Sequence, residues 1–161
     1  LAVCDCRAIL ADAGALPFRS GVFSVVCAAE LIEHLSPERL PPVLVEMVRV
    51  LRPGGVLVVT TPNLARLWNR LALLRGRPFL TSPAFRIGST YGHLREYAGG
   101  EVAELLVYAG LTQIVVSFAP SRGIAAHGAL PSRVLALAEW FLPKVGCHEL
   151  STFLVAWGRK P

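Results

Sequence analysis

Two apolar runs with a helical segment between them constrain this chain more than any other feature. Val22–Ala28 reads VFSVVCA and Val56–Thr61 reads VLVVTT. Near-continuous apolar runs of this length are strands buried on both faces, the pattern of a parallel sheet. Between them Leu40, Val43, Leu44, Met47, Val48 and Leu51 recur at helical spacing. Strand, helix and strand in that order form a parallel crossover unit. In open α/β sheets, ligands sit outside the carboxyl ends of the strands. The first residues to question for function are therefore those just past each run: Asp12 and Ala13, Ala28 to His34, and Thr61 to Asn63.

The remaining bounds come from composition. A chain of 161 residues, 53% hydrophobic and 17% charged, can bury one sizeable core and is no disordered protein. We expect a single domain over residues 1–161. The chain begins at Leu1 with residues typical of a fold interior, so an N-terminally truncated domain is expected. Net charge is +5. A solvated, arginine-rich surface accounts for it, with attraction to anionic partners as the alternative. Arg66, Arg70, Arg75 and Arg77 cluster, but no nucleic-acid motif accompanies them, and no nucleic-acid partner is expected. Cys4, Cys6, Cys27 and Cys147 form no C-x-x-C pair and no zinc spacing, so they read as thiols in a reducing compartment and imply no metal. No signal peptide is visible, and no run reaches the roughly 18 apolar residues that would span a bilayer. A cytoplasmic location is the expectation.

Taken in order, Leu1–Asp5 and Arg7–Asp12 are short apolar runs ending in acids. Too few residues separate them for a crossover helix. Pro17 and Gly21 mark the turn into Val22–Ala28. Ser36-Pro37 is a helix start, and Pro41 and Pro42 split off its first turn. Pro53-Gly54-Gly55 is a tight turn before the next strand. Leu64, Leu67, Trp68, Leu71 and Leu74 form one apolar stripe of a helix, expected to pack inward, with a lid or a lipid-facing helix as the alternative. Arg75–Gly92 is loop-like, Gly100–Ala109 is a helix stopped by Gly110, and Leu111–Phe118 is a strand. Ala119–Pro131 links to a helix from Ser132 to Leu142, and Ser151–Trp157 is a last strand.

The segments DAGALPFRSGVFSVVCAAELIEHL and RVLRPGGVLVVTTPN, followed by YGHLREYAGGEVAELLVYAGL and the terminal LVAWGRKP, resemble the class I S-adenosylmethionine-dependent methyltransferases. The likeness is to the type 11 and MetW-like small-molecule enzymes. The resemblance implies an α/β fold with a Rossmann-like, mostly parallel sheet, an antiparallel C-terminal strand and helices on both faces. On that map Arg7–Ala11 is the third family strand, Val22–Ala28 the fourth, Val56–Thr61 the fifth, Leu111–Phe118 the sixth and Ser151–Trp157 the seventh. No G-x-G-x-G, the loop that holds the methionine part of the cofactor, occurs in these residues. N-terminal strands are expected to be missing with it.

The same resemblance implies site residues. Asp12 would accept from the adenine amino group, the Ala13 N–H would reach the ring, and Leu16 would support an apolar slot; a turn aspartate is the plain alternative. Asp5 matches the acid that binds ribose hydroxyls. Ala28 and Ala29 allow close backbone approach to the cofactor, with Glu30 beside them. One of Glu30 and Glu33 is a candidate partner for Arg39. His34 is the candidate for acid–base work, because an imidazole titrates near neutrality; a structural histidine is the alternative. Asn63, Tyr91 and His93 are candidates for the acceptor pocket, together with Arg95 and Tyr97.

The function implied is methyl transfer from S-adenosyl-L-methionine to a small-molecule or lipid- or glycan-type acceptor, with peripheral membrane contact open. A second reading is a methyltransferase-like remnant or subunit that does not bind the cofactor on its own. A third, a nicotinamide-dependent oxidoreductase, is disfavoured because G-x-G-x-x-G is absent.

Overall fold

The computed structural model describes residues 7–77, 93–120, 137, 141, 144 and 146–161. Its elements run β1 (Phe23–Ala29), α1 (Leu40–Val50), β2 (Leu51–Pro62), α2 (Leu67–Leu74), α3 (Gly99–Tyr108), β3 (Thr112–Ala119) and β4 (Phe153–Arg159). The sheet order is β1-β2-β4-β3. β1 pairs parallel with β2, while β4 pairs antiparallel with both β2 and β3. Three strands therefore share one direction and the last in sequence opposes them from within the sheet, as expected for this Rossmann-like α/β architecture.

Registry explains which residues are inside. Val26 and Ala28 stand beside Leu57 and Val59, which face Gly158 and Ala156 of β4, and Ala156 in turn faces Val116 of β3. These positions share a face of the sheet, because side chains alternate with period two. Leu40, Val43, Leu44 and Met47 of α1 and Val102 and Leu106 of α3 close over that face in one core. Each fully buried Leu or Val of that core contributes about 1.5–3 kcal/mol against exposure. On the opposite face Val25, Cys27 and Val115 are exposed among the described residues.

The start of α1 follows from its prolines. Pro37–Arg39 forms a separate turn, in which Ser36 O accepts from Arg39 N at 2.9 Å. Pro41 and Pro42 then occupy the first helical turn, where no N–H is needed. The other end of α1 is held by Lys160, whose Nζ donates to Val48 O at 2.8 Å and Leu51 O at 2.7 Å. A cation there also complements the helix dipole.

Several expectations need correction. Residues 7–12 are not a strand. Ile9 and Leu10 are exposed, and among the described residues no strand pairs with them. An apolar run becomes a strand only where a neighbour takes its N–H and C=O groups. The Pro53-Gly54-Gly55 turn lies inside β2: the strand starts at Leu51, and the register shifts between Phe23 and Val25 to absorb the extra residues. Of the expected inward stripe, Leu64, Leu67, Trp68 and Leu71 are only half-buried and Leu74 is exposed, while the buried residues of α2 are Asn69 and Ala72. The Leu1–Asp5 run, most of the Arg75–Gly92 loop and nearly all of the linker and helix between Ala119 and Leu142 lie outside the described residues.

Two glycines separate packing from propensity. A Cβ on Gly55 would lie 2.9 Å from Arg52 O and 3.2 Å from Phe23 O, both backbone atoms. A Cβ on Gly100, early in α3, would meet nothing within 4 Å. Gly55→Ala should cost about 1–3 kcal/mol, and Gly100→Ala should add about 0.4–1 kcal/mol. Urea denaturation of the two variants would show midpoints moving in opposite directions.

Candidate functional site at the carboxyl edge

A crossover helix returns the chain to the edge from which the next parallel strand starts. The N-terminus of α1 therefore lies at the same edge as the carboxyl ends of β1 and β2. Asp12 sits at this edge. Its Oδ1 accepts from Gly14 N at 2.8 Å and from Arg39 Nη2 at 2.6 Å, just before α1. The Arg39 hydrogen bond, helped by the Gly14 N–H, holds the Asp12 carboxyl below its usual pKa. Arg39 thus pairs with Asp12, not with Glu30 or Glu33. Ala13 packs partly against the core. From there the chain descends along α1. Leu16 N donates to Glu46 Oε1 at 2.8 Å, and Arg49 Nη2 donates to Leu16 O and Phe18 O. The Glu46–Arg49 pair thereby fixes the loop that carries Asp12 and Ala13.

At the end of β1, Ala28 is buried while Ala29 and Glu30 are exposed. Glu30 has φ +49°, the left-handed region that a non-glycine residue seldom enters. Such strain persists only where surroundings over-determine it, and it gathers at working sites. Here Glu30 N donates to Thr60 O at 3.0 Å, and Thr60 Oγ1 donates to Glu30 Oε1 at 2.9 Å. These bonds tie the end of β1 to the end of β2.

The next residues form a 3-10 turn, Ile32–His34. Glu33 is fully buried, and its Oε2 accepts from Thr61 Oγ1 at 3.0 Å. His34 is exposed, with its ring 5.0 Å from that of His93 at 72°. The backbone O of Glu33 accepts from Leu94 N at 2.8 Å, which brings the His93 segment to this edge. Behind His93 stands Glu96, 4% exposed, with Oε1 at 3.5 Å from His93 Nδ1. Glu96 is held by Arg66 Nη2 at 2.9 Å and Asn69 Nδ2 at 2.8 Å. Asn69, on the buried side of α2, supplies one of these donors. Nearby, the Arg95 guanidinium lies over the Tyr97 ring at 5.1 Å.

Asn63 is fully buried at the end of β2. Its Nδ2 donates to Glu149 O at 2.7 Å and Ser151 O at 2.8 Å, and its Oδ1 accepts from Ala65 N at 3.0 Å. Both amide hydrogens and the oxygen are engaged within the fold. The structure thus brings Asp12, Ala13, Ala28, Ala29, Glu30, His34, Asn63 and His93 to one edge, with Leu16 lower along α1. Asp5 and Tyr91 lie outside the described residues. Sequence reasoning did not reach Thr60, Glu96, Arg66 or Asn69 as site residues. The signal available for Glu96 was its spacing of three from His93.

Although Glu30 is exposed as a residue, partial desolvation of its carboxyl raises it above its ordinary value of 4.5, and repulsion from Glu33 adds to this; the Thr60 hydrogen bond and the charges of His93 and His34 oppose it. A carboxyl raised on folding contributes stability that is complete below 4.5 and is lost as pH rises through the raised value. At neutral pH the ionised group therefore works against the fold. Glu30→Gln should raise the thermal midpoint at pH 7, and the gain should vanish as pH approaches 4. Melting curves across that range would check the sign.

Comparison with known proteins agrees with this architecture. A protein-family model, "Methyltransferase domain", matches residues 2–59. An uncharacterized methyltransferase of Synechocystis sp. is 31% identical over 99 residues, covering 59% of this chain and 46% of that protein. A "Probable S-adenosylmethionine-dependent methyltransferase" of Mycolicibacterium smegmatis is 36% identical over 95 residues, covering 59% of this chain and 31% of the other. The chain thus spans less than half the length of these curated relatives. Among solved structures, a Thermotoga maritima protein described as "SAM-dependent methyltransferase, possible histamine N-methyltransferase" superposes with TM-score 0.60 at 16% identity, covering 94% of this chain and 62% of that one. Residues 2–59 thus match the methyltransferase family model, and the chain shares its fold with S-adenosylmethionine-dependent methyltransferases of known structure.

Proposed function

We propose that this protein transfers the methyl group of S-adenosyl-L-methionine to a small-molecule or lipid- or glycan-type acceptor. The observation that carries the reading is the meeting of three segments at one sheet edge: the Asp12 turn, the end of β1 and the His34–His93 pair. Asp12 offers an acceptor to the adenine amino group, and the Ala13 N–H faces the same ring. Ala29 leaves room for the cofactor's backbone-facing side, and the left-handed turn at Glu30 shapes that wall. Leu16 supports the loop from below. Asp5 and Tyr91 enter by family resemblance alone, for ribose and acceptor respectively.

Methyl transfer from a sulfonium is an in-line displacement for which the cofactor supplies the electrophile. The protein's task is to orient the nucleophile and exclude water. Where the acceptor carries a proton, the exposed His34 imidazole is the candidate base, with the His93 ring 5.0 Å from it. Asn63 serves by holding the edge in shape. Exposed Leu73 and Leu74 on α2 support contact with an apolar acceptor or a lipid surface. No helix among the described residues is long and apolar enough to cross a membrane. The reading treats residues 1–161 as one cytoplasmic domain.

Calorimetry with S-adenosylhomocysteine on the full-length protein tests this. Wild type should bind, and Asp12→Ala should weaken binding about tenfold, the loss of roughly one hydrogen bond to a charged group. Equal affinities would remove Asp12 from the site. No binding to wild type would favour the remnant that lacks cofactor affinity.

A further inference from the structure

Methyl transfer leaves one feature of this edge unused. Glu33 is fully buried, and only its Oε2 is hydrogen-bonded, by Thr61 Oγ1. Its Oε1 is buried with no hydrogen-bond partner. The nearby imidazole nitrogen, His34 Nε2, is 4.0 Å away, beyond hydrogen-bond reach. A buried carboxylate oxygen without a donor is costly, and such groups are met by a paired charge or a metal ion. One ligand atom each from Glu33, His34 and His93 can be chosen so that all lie within 4.8 Å of one another.

We infer that Glu33, His34 and His93 form a binding site for a divalent transition-metal cation, zinc or one of its first-row neighbours. Two imidazoles and a carboxylate are the donor set such ions take, whereas calcium and magnesium prefer oxygen alone. A tetrahedral ion with bonds of about 2.0–2.2 Å spaces its donors about 3.4 Å apart. The cluster therefore has to draw in by roughly an ångström, which rotamer adjustment at the partly exposed imidazoles supplies. The carboxylate is fixed from behind by Thr61. Glu96, itself held by Arg66 and Asn69, stands at His93 Nδ1, where a carboxylate orients a ligating ring. The exposed side of His34 leaves the remaining coordination positions open toward the acceptor region. An ion there would make His34 a ligand instead of a proton acceptor, and would itself ease proton loss from an acceptor oxygen. Cation binding requires nothing of the methyl donor, so the inference stands whether or not the cofactor reading does.

The test is titration of cobalt(II), zinc(II) and manganese(II), each alone, into metal-stripped full-length protein. Calorimetry reads affinity, and visible absorption reads the cobalt geometry. A single ion per chain is expected, with at least one of the three binding at micromolar or lower concentration and cobalt giving visible bands. Glu33→Gln keeps the shape and the Thr61 contact but removes the charge. It and His93→Gln should each weaken binding tenfold or more. Should Glu33→Gln fail to fold, the partly exposed His93→Gln decides alone. Cys147→Ser and His148→Ala, at exposed positions, should leave affinity unchanged. Absence of binding overturns the inference, as does affinity unchanged in the folded Glu33 and His93 variants. Affinity that falls only with Cys147→Ser or His148→Ala also overturns it, since it would mark an adventitious surface ion.

Discussion

Asn63 joins three other parts of the chain to the end of the central strand. It receives Ala65 N–H, donates to Glu149 O and Ser151 O, and its own backbone N donates to Thr152 O at 2.8 Å. Asn63 also bridges to Tyr97. β2 is paired along both edges, by β1 and β4, so its backbone groups are satisfied and its core-facing side chains can be fully buried. Asn63 extends that satisfaction one residue past the strand, where the chain must turn toward α2. Without it, the buried Ser151 carbonyl loses a donor, a loss that costs about 1–3 kcal/mol. The edge that carries the candidate site is rigid because this junction is closed.

Buried polar groups are otherwise costly, and here they gather on the edge where function is proposed. Glu33, Thr61, Asn63, Asn69 and Glu96 are all buried within a few residues of the ends of β1 and β2 or in the segments packed over them. Glu96 is fully supplied with donors. Glu33 is not. A fold optimised only for stability would fill such positions with apolar residues. Their presence agrees with an edge shaped for a ligand.

Most of the sheet was legible because burial on both faces leaves a continuous apolar signal. The β1 and β2 runs, α1, α3 and the antiparallel last strand fall within one to five residues of where the sequence placed them. Residues 7–12 misled because a strand is a paired object, and pairing is not local. The Leu64–Leu74 stripe misled because periodicity reports which residues share a face, not which face is buried. Asn69, on the other face, is inside because Glu96 draws it there. The edge positions of Ala28–Glu30 and His34 followed from a general rule about strand ends; Asp12 reached the edge without a strand before it. The buried carboxylates did not follow, since a glutamate reads as surface until its surroundings are known.

The sheet order has a consequence for the order in which the protein assembles. The strand made last, β4, inserts between β2 and β3, and Lys160 near its end closes α1, more than a hundred residues earlier in the chain. While the chain is being synthesised, β2 and β3 have no common neighbour and α1 lacks its terminal cation. The parallel pair β1–β2 can form early, but the core beneath α3 cannot close until β4 has emerged. Contacts so distant in sequence slow folding and leave apolar strand edges open meanwhile. A nascent chain of this topology is therefore most in need of protection just before β4 appears.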